Sequence, residues 1–482
     1  MVDGEVAAIM SPCGVDATAC AKCHRGGNQP VHGNIWRFIL FRIFFNCRFY
    51  YPVYAILFMD FGLSVKEFAI LNAAWAATIV VFEVPSGAVA DLIGRRILVI
   101  FSAVLMCIEL LVLLAIPVGG GAIVFWAFLL NRIIGGISEA ASSGADEALA
   151  YDTLPHATRE EAWARIQARL LRLLPVGFMV SGLLGALVYD GKRLSSLLGI
   201  AGIDAHIPPA IAIKLPLVLT LGFALCALAV AIGMREPPRA DPTCRPCSLR
   251  LAISAALQRT WEAAVWIWSS AWPLILILAG LVFDSMVRLF YTVAASYYRL
   301  IDIPEAVFGV IGVAAVGLSI GTSWILEHMV KHNRPRTNFY ILSGIAMVGV
   351  ISLAFPVRYW GAVFVLPLVL AMRMTHFFIS NYLNAVTDSR NRATILSFRG
   401  LALNAGYGVV TLLYGLQSGW IAQSKGMTNQ DAQANEEVFA QSLTWWPWYF
   451  LSTLILLGIG ALWLQQRDNK RLTTTQHRNP AG

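Results

Sequence analysis

Apolar runs long enough to cross a bilayer follow one another along nearly the whole chain, separated by short charged or proline-bearing breaks. Reading for stretches of about 20 apolar residues predicts twelve spans, near 38–60, 66–86, 97–117, 122–143, 166–189, 208–233, 272–297, 306–327, 338–356, 360–383, 394–420 and 444–465. The longest break follows the sixth span. It reads MREPPRADPTCRPC, then a segment from Ser248 to Ser270 patterned as an amphipathic helix at the membrane interface. The expected fold is an all-α membrane protein with twelve transmembrane helices in two six-helix halves. Its parts are a tail over 1–35, a first half over 36–234, a linker with the amphipathic helix over 235–270, a second half over 271–466, and a tail over 467–482.

Composition narrows the class. Hydrophobic residues make up 57% of the 482 and charged residues 13%, against roughly 25% charged in soluble domains. Residues 1–35 are polar and cysteine-bearing, so the first span is expected to act as its own insertion signal. Positive charge then orients the chain. Arg95, Arg96, Arg159, Arg165, the five arginines from Arg235 to Arg259, Lys331, Arg334, Arg336, Arg390, Arg392 and the tail from Arg467 to Arg478 fall on one side. The other side holds a scatter: Lys66, Lys192, Arg193, Arg299 and Lys425. This asymmetry places both termini in the cytoplasm. Trp261, Trp266, Trp268 and Trp272, and Trp445, Trp446 and Trp448, read as interfacial anchors.

The break after the second span, GAVADLIGRR from Gly87 to Arg96, is charged and carries two glycines between lipid-embedded flanks. Glycine permits a tight turn, Asp91 can accept hydrogen bonds at a helix N-terminus, and the arginines stay in water. The string resembles the signature loop of the major facilitator superfamily, G-x-L-A-D-R-x-G-R-K. Gly87, Asp91, Gly94, Arg95 and Arg96 match, while Val89 and Leu92 depart. The resemblance spans nearly all of residues 36 to 465. It implies a transporter whose cytoplasmic loops hold two halves together, with spans 1, 4, 7 and 10 lining a central cavity. EVPSG (Glu83–Gly87), SGADEALAYDTL (Ser143–Leu154) and SRNRATILSFRG (Ser389–Gly400) look like a bacterial branch of the superfamily, which implies an inner-membrane location.

Ionisable groups within spans are expensive, by at least about 2.5–3.5 kcal/mol each. The midplane candidates are Arg48, Glu109 and Arg132 in the first half, and Asp284, Arg288, Arg373 and His376 in the second. Glu83 and Glu139 lie nearer the cytoplasmic ends. Asp284 and Arg288 are four apart and share a helix face, so they form either a structural ion pair or a gated pair at the cavity. His376 follows Arg373 by three residues and is either a packed polar residue or a proton- or substrate-linked one. RIIGGISEA, from Arg132 to Ala140, is similar to the span-4 motif of proton-coupled members of the superfamily, with Gly136 in place and Glu139 two turns along the same face. GFMVSGLLGA in span 5 keeps Gly177 and Gly185 of the antiporter motif but has Ser181–Gly182 where antiporters carry Gly–Pro; small residues for helix packing account for it. On the cytoplasmic rim, Glu83, Asp91, Asp146 and Glu147 are expected to face Arg390, Arg392 and Arg399 across an intracellular gate, or to form a solvated rim.

Cys20-Ala-Lys-Cys23-His24 has the spacing for c-type haem attachment, which a cytoplasmic tail opposes. With Cys244 and Cys247 it makes a weak zinc candidate; reduced, unliganded thiols are expected, and no cofactor. Cys47, Cys107 and Cys226 read as packing residues. No G-x-x-x-x-G-K-[ST] occurs, so ATP-driven pumping is not expected. The expectation is a monomeric secondary transporter moving a small organic solute, anionic or amphiphilic, by alternating access with proton-coupled efflux. It would work with protons and the lipid bilayer and without nucleic acid, and it would not be an enzyme. The alternatives are an importer or uniporter of the same fold, or a membrane sensor or redox protein using the Cys20/Cys23 tail.

Overall fold

The computed structural model describes residues 33–119, 121–155, 158–204, 206–237, 248–387, 392–427 and 432–478. Cys20, Cys23, Cys244, Cys247 and Arg390 lie outside these residues, as do the side chains of Asp91 and Arg392. The described chain is all-helical, and eleven of its helices are long and apolar enough to cross a membrane. The remaining span is the first, and it is broken. One helix runs Asn34–Asn46 and a second Tyr54–Asp60, joined through an irregular turn at Cys47–Tyr50 and a short 3-10 segment at Tyr51–Val53.

The single run expected over 38–60 is thus two half-helices. Pro52 supplies no N–H to continue an α-helix and sits in the first turn of the short 3-10 segment. The freed backbone is satisfied from neighbours: the Phe49 N–H donates to Thr220 Oγ1 of span 6 at 3.1 Å. Gly185 of span 5 leaves room for the Phe49 carbonyl, which any Cβ there would strike.

Span 2 runs Val65–Ile93, opened by a capping box in which Ser64 and Glu67 satisfy each other's backbone N–H. Its end corrects the reading of Gly87–Arg96 as a glycine-punctuated turn. Gly87 is helical and exposed, and only Gly94, at φ 109°, interrupts the chain before span 3 starts at Arg95. Span 3 (Arg95–Ala115), span 4 (Ala122–Ser142), span 5 (Arg159–Tyr189) and span 6 (Leu215–Gly233) complete the first half, with a short helix Ala145–Asp152 after span 4. The linker helix, Leu249–Ser269, packs on spans 2 and 11 and turns Leu257, Trp261, Val265 and Trp268 outward. The second half holds span 7 (Ala271–Leu300), span 8 (Glu305–Gly321, extended by Ser323–His332), span 9 (Pro335–Leu353), span 10 (Leu366–Val386), span 11 (Arg392–Ser424) and span 12 (Ala432–Arg478). Trp446 is not an interfacial anchor: it is fully buried, edge-on to Tyr414. Cys47 and Cys107 are buried, whereas Cys226 is exposed.

The halves meet most closely where small residues let backbones approach. Span 2 lies along span 11, with Gly415 and Gly419 seated against Ala69 and Lys66. Span 5 lies along span 8, so close that a Cβ on Gly309 would sit 2.5 Å from the Gly182 carbonyl oxygen. The backbone at Gly182 is thus part of the contact between halves, and Gly309 is the glycine that the contact requires. At the face away from the chain ends, Arg299 at the end of span 7 grips Asp60 at the end of span 1, with nitrogen–oxygen distances of 2.6 and 2.8 Å. Arg299 also reaches Glu305 at 3.2 Å, and the Tyr189 hydroxyl donates to Asp60.

Candidate functional site

Among the described residues, each half carries a fully enclosed carboxylate within a span. In the first half it is Glu109 of span 3. The turn in span 1 releases Arg48 from the helix and aims it at Glu109, Nη1 to Oε1 at 2.7 Å, with the Tyr50 hydroxyl accepting from the same nitrogen at 3.0 Å. The other guanidinium nitrogen of Arg48 lies 3.7 Å from Glu139 of span 4, whose side chain is 43% exposed. One arginine thus bridges a sealed carboxylate and an open one. Gly135 makes the arrangement possible, because a Cβ at that position would collide with Glu109 Oε2. That oxygen has no hydrogen-bond partner among the described residues.

Arg132 sits beside this pair and not in it. Its guanidinium donates to Asn131 Oδ1 at 2.9 Å and to the Tyr54 hydroxyl at 2.6 Å, and it lies over the Tyr54 and Phe58 rings. Tyr54 passes the contact on to Asn72 of span 2 at 2.5 Å, while Asn131 donates to the Glu109 backbone carbonyl at 2.8 Å. Gly136, the motif glycine, is packed against Thr78 and the Trp75 carbonyl of span 2.

In the second half the enclosed carboxylate is Asp284 of span 7. Arg288 Nη2 is 2.7 Å from one oxygen and His376 Nε2 of span 10 is 3.0 Å from the other. Neither contact has hydrogen-bond geometry, so Arg288 holds its oxygen by charge more than by a directed bond. Arg288 spends its directed bond on Asn404 of span 11, at 2.9 Å, and stacks over Tyr407. Arg399 lies in the field of Asp284. Tyr407 stands where the halves meet, in the field of both Arg288 and Arg132 and close to Tyr54.

Arg373 takes no part in that cluster. It is exposed midway along span 10, and no carboxylate pairs with it among the described residues. Glu83 is half-buried near Gly400 of span 11, with Oε2 lacking a hydrogen bond among the described residues. Asp146 and Glu147 reach Arg42 of span 1, at 3.2 and 3.0 Å, and among the described residues neither pairs with an arginine of the second half. Arg95 pairs with Asp152 and donates to the Ala148 carbonyl, and Arg96 donates to the Ile232 carbonyl.

Sequence reasoning missed Glu236, Asp60 and Arg299. Glu236, just past span 6, accepts the backbone N–H of Arg95 at 3.2 Å and of Arg96 at 2.8 Å, capping span 3. Arg299 read as stray outer-loop charge, though Asp60 and Arg299 hold equivalent positions at the ends of the first span of each half.

The fold and these charged centres define a helical membrane transporter architecture of two six-span halves. The chain belongs to the Major Facilitator Superfamily, whose sequence profile matches residues 38–411. No curated protein matches it in sequence. Among solved structures it is similar to a bacterial homologue of the human lysosomal transporter Spinster in an inward-facing, unoccupied conformation, with a TM-score of 0.62 and 16% identity over 90% of this chain and 96% of that one. It is also similar to a POT family transporter in complex with 5-aminolevulinic acid (0.59, 12%, 89% and 96%) and to the nucleoside transporter NupG (0.58, 11%, 87% and 98%). At these identities the likeness is one of fold.

Proposed function

We propose that this chain is a proton-coupled secondary transporter that exports a small organic solute by alternating access, working as a monomer in a bacterial inner membrane with both termini cytoplasmic. The observation that carries the reading is the Arg48 bridge between Glu109, fully enclosed, and Glu139, partly open. A proton arriving at Glu139 weakens one arm of Arg48. Its transfer inward to Glu109 releases that arm and restores the one to Glu139, so Arg48 swings from the enclosed carboxylate toward the open one and draws the turn in span 1 with it. Asp284 offers a parallel charge switch in the second half, with His376 able to accept or donate a proton at its edge. Buried charges that exchange partners are how a transporter links proton binding to a change of shape.

The test uses purified protein in proteoliposomes with an imposed pH gradient and a panel of organic solutes. Solute-dependent proton movement that is lost in Glu109→Gln supports coupling. Solute flux without proton movement means a uniporter, and uptake in the opposite sense means an importer; either result overturns the exporter reading.

A further inference from the structure

We propose that Arg373 is the anion anchor of the substrate site, and that the solute is an organic monoanion with an aromatic or flat apolar body. The inference rests on the transporter reading above and gives it a substrate class. Four arginines sit at mid-membrane depth, and three are already committed. Arg48 is held by Glu109 and Glu139, Arg132 by Asn131 and Tyr54, and Arg288 by Asp284 and Asn404. Arg373 is exposed and is paired with no carboxylate among the described residues.

Its position is on the inward-turned face of span 10. Arg373 and His376 share one face of span 10, and His376 on that face reaches inward to Asp284 of span 7 at 3.0 Å. Tyr291 of span 7, one turn beyond Arg288, stands in the field of Arg373 and is 42% exposed. A guanidinium left against lipid at this depth is unfavourable, and arginines within spans turn to cavities or partners. The uncommitted charge therefore awaits a partner that comes and goes.

The walls indicate what that partner carries. Tyr51, in the span-1 turn, is 50% exposed although Tyr50 and Val53 beside it are buried. It stands edge-on to Tyr50 and Tyr54. Tyr54, near Tyr407, links it to the second half, where Tyr407 lies under Arg288. Tyr291, in the field of Arg373, offers an open aromatic face to a ring or flat apolar body, and Tyr51 offers another from the first half, since aromatic pairs gain beyond simple burial. The guanidinium fork suits a carboxylate or sulfonate. A single fork takes a single anionic group.

Binding to purified protein in nanodiscs, with no gradient, tests the assignment. The probes are benzoate, naphthalene-2-carboxylate and naphthalene-2-sulfonate, each beside its uncharged amide or sulfonamide. The wild type is expected to bind the anions and discriminate against the neutral partners. Arg373→Gln is expected to weaken anion binding by about ten- to a hundred-fold, with Arg373→Lys in between and both variants melting like the wild type. Equal binding of anion and amide, undiminished anion binding by Arg373→Gln, or no binding of any anion overturns the proposal. Anion binding without proton movement in liposomes sinks the coupled-transport reading and leaves this one standing.

Discussion

Arg299 presents two guanidinium nitrogens to the two carboxylate oxygens of Asp60, at 2.6 and 2.8 Å, across 239 residues of sequence. Side-by-side pairing of this kind fixes direction as well as distance. Because it ties span 1 to span 7, it must part whenever the face away from the termini opens. Arg299→Gln is expected to favour that opening by about 1–2 kcal/mol, or about five- to thirty-fold in the ratio of states. Spin-label distances across the outer ends of spans 1 and 7 measure it; an unchanged distribution contradicts the latch.

The Arg48–Glu109 pair makes a second case. Removing one member leaves the other charged and enclosed, at a cost of about 3–5 kcal/mol. Arg48→Gln alone is therefore expected to melt well below the wild type. Arg48→Gln combined with Glu109→Gln is expected to recover most of the loss. Thermal melting of the four proteins in detergent gives the cycle, and additive losses would mean that the two side chains do not depend on each other.

Glycine substitutions separate packing from turn geometry. Gly185→Ala drives a methyl group into the Phe49 carbonyl, and Gly135→Ala drives one into Glu109, so each is expected to destabilise by about 1–3 kcal/mol or more. Gly87→Ala, in a helix with nothing within 4 Å of the new carbon, is expected to be neutral or to stabilise by about 0.5–1 kcal/mol. A large loss at Gly87 would restore the turn reading of the signature stretch.

Glu236→Ala removes the acceptor for two N–H groups at the start of span 3. A loss of about 0.5–2 kcal/mol is expected, read as lower melting and faster amide exchange at Arg95 and Arg96. Asp152, which pairs with Arg95, stays in place, so the loss isolates the cap.

The fold was legible because bilayer-length apolar runs leave few architectures open, and the arginine distribution and the Gly87–Arg96 motif pointed the same way. Much of the charged site was legible too, since a charge inside a span is conspicuous: Arg48, Glu109, Arg132, Asp284, Arg288 and His376 all stand in the two clusters. Their partners were not. The Asp284–Arg288 pair could be inferred from a spacing of four on one helix, but Arg48 meets Glu109 only because span 1 unwinds beside Pro52. Polar uncharged groups such as Tyr54, Asn72, Asn404 and Tyr407 carry no cost signal in the sequence comparable to that of a charge. Glu236 was hidden for another reason: it lies next in space to Arg95 but 141 residues away along the chain.

The described ion pairs near the terminal face, Arg42 with Asp146 and Glu147 and Arg95 with Asp152, stay within the first half. The described pair that crosses between halves, Asp60 with Arg299, is at the opposite face. Dissolved salt weakens partly exposed pairs more than enclosed ones. Ionic strength therefore acts on the two mouths unequally: added salt loosens the crossing at one face while breaking no described crossing pair at the other. If the chain alternates access as proposed, the resting balance between its two orientations is tied to the electrolyte on the Asp60–Arg299 side, and the carrier responds to the medium that bathes that mouth.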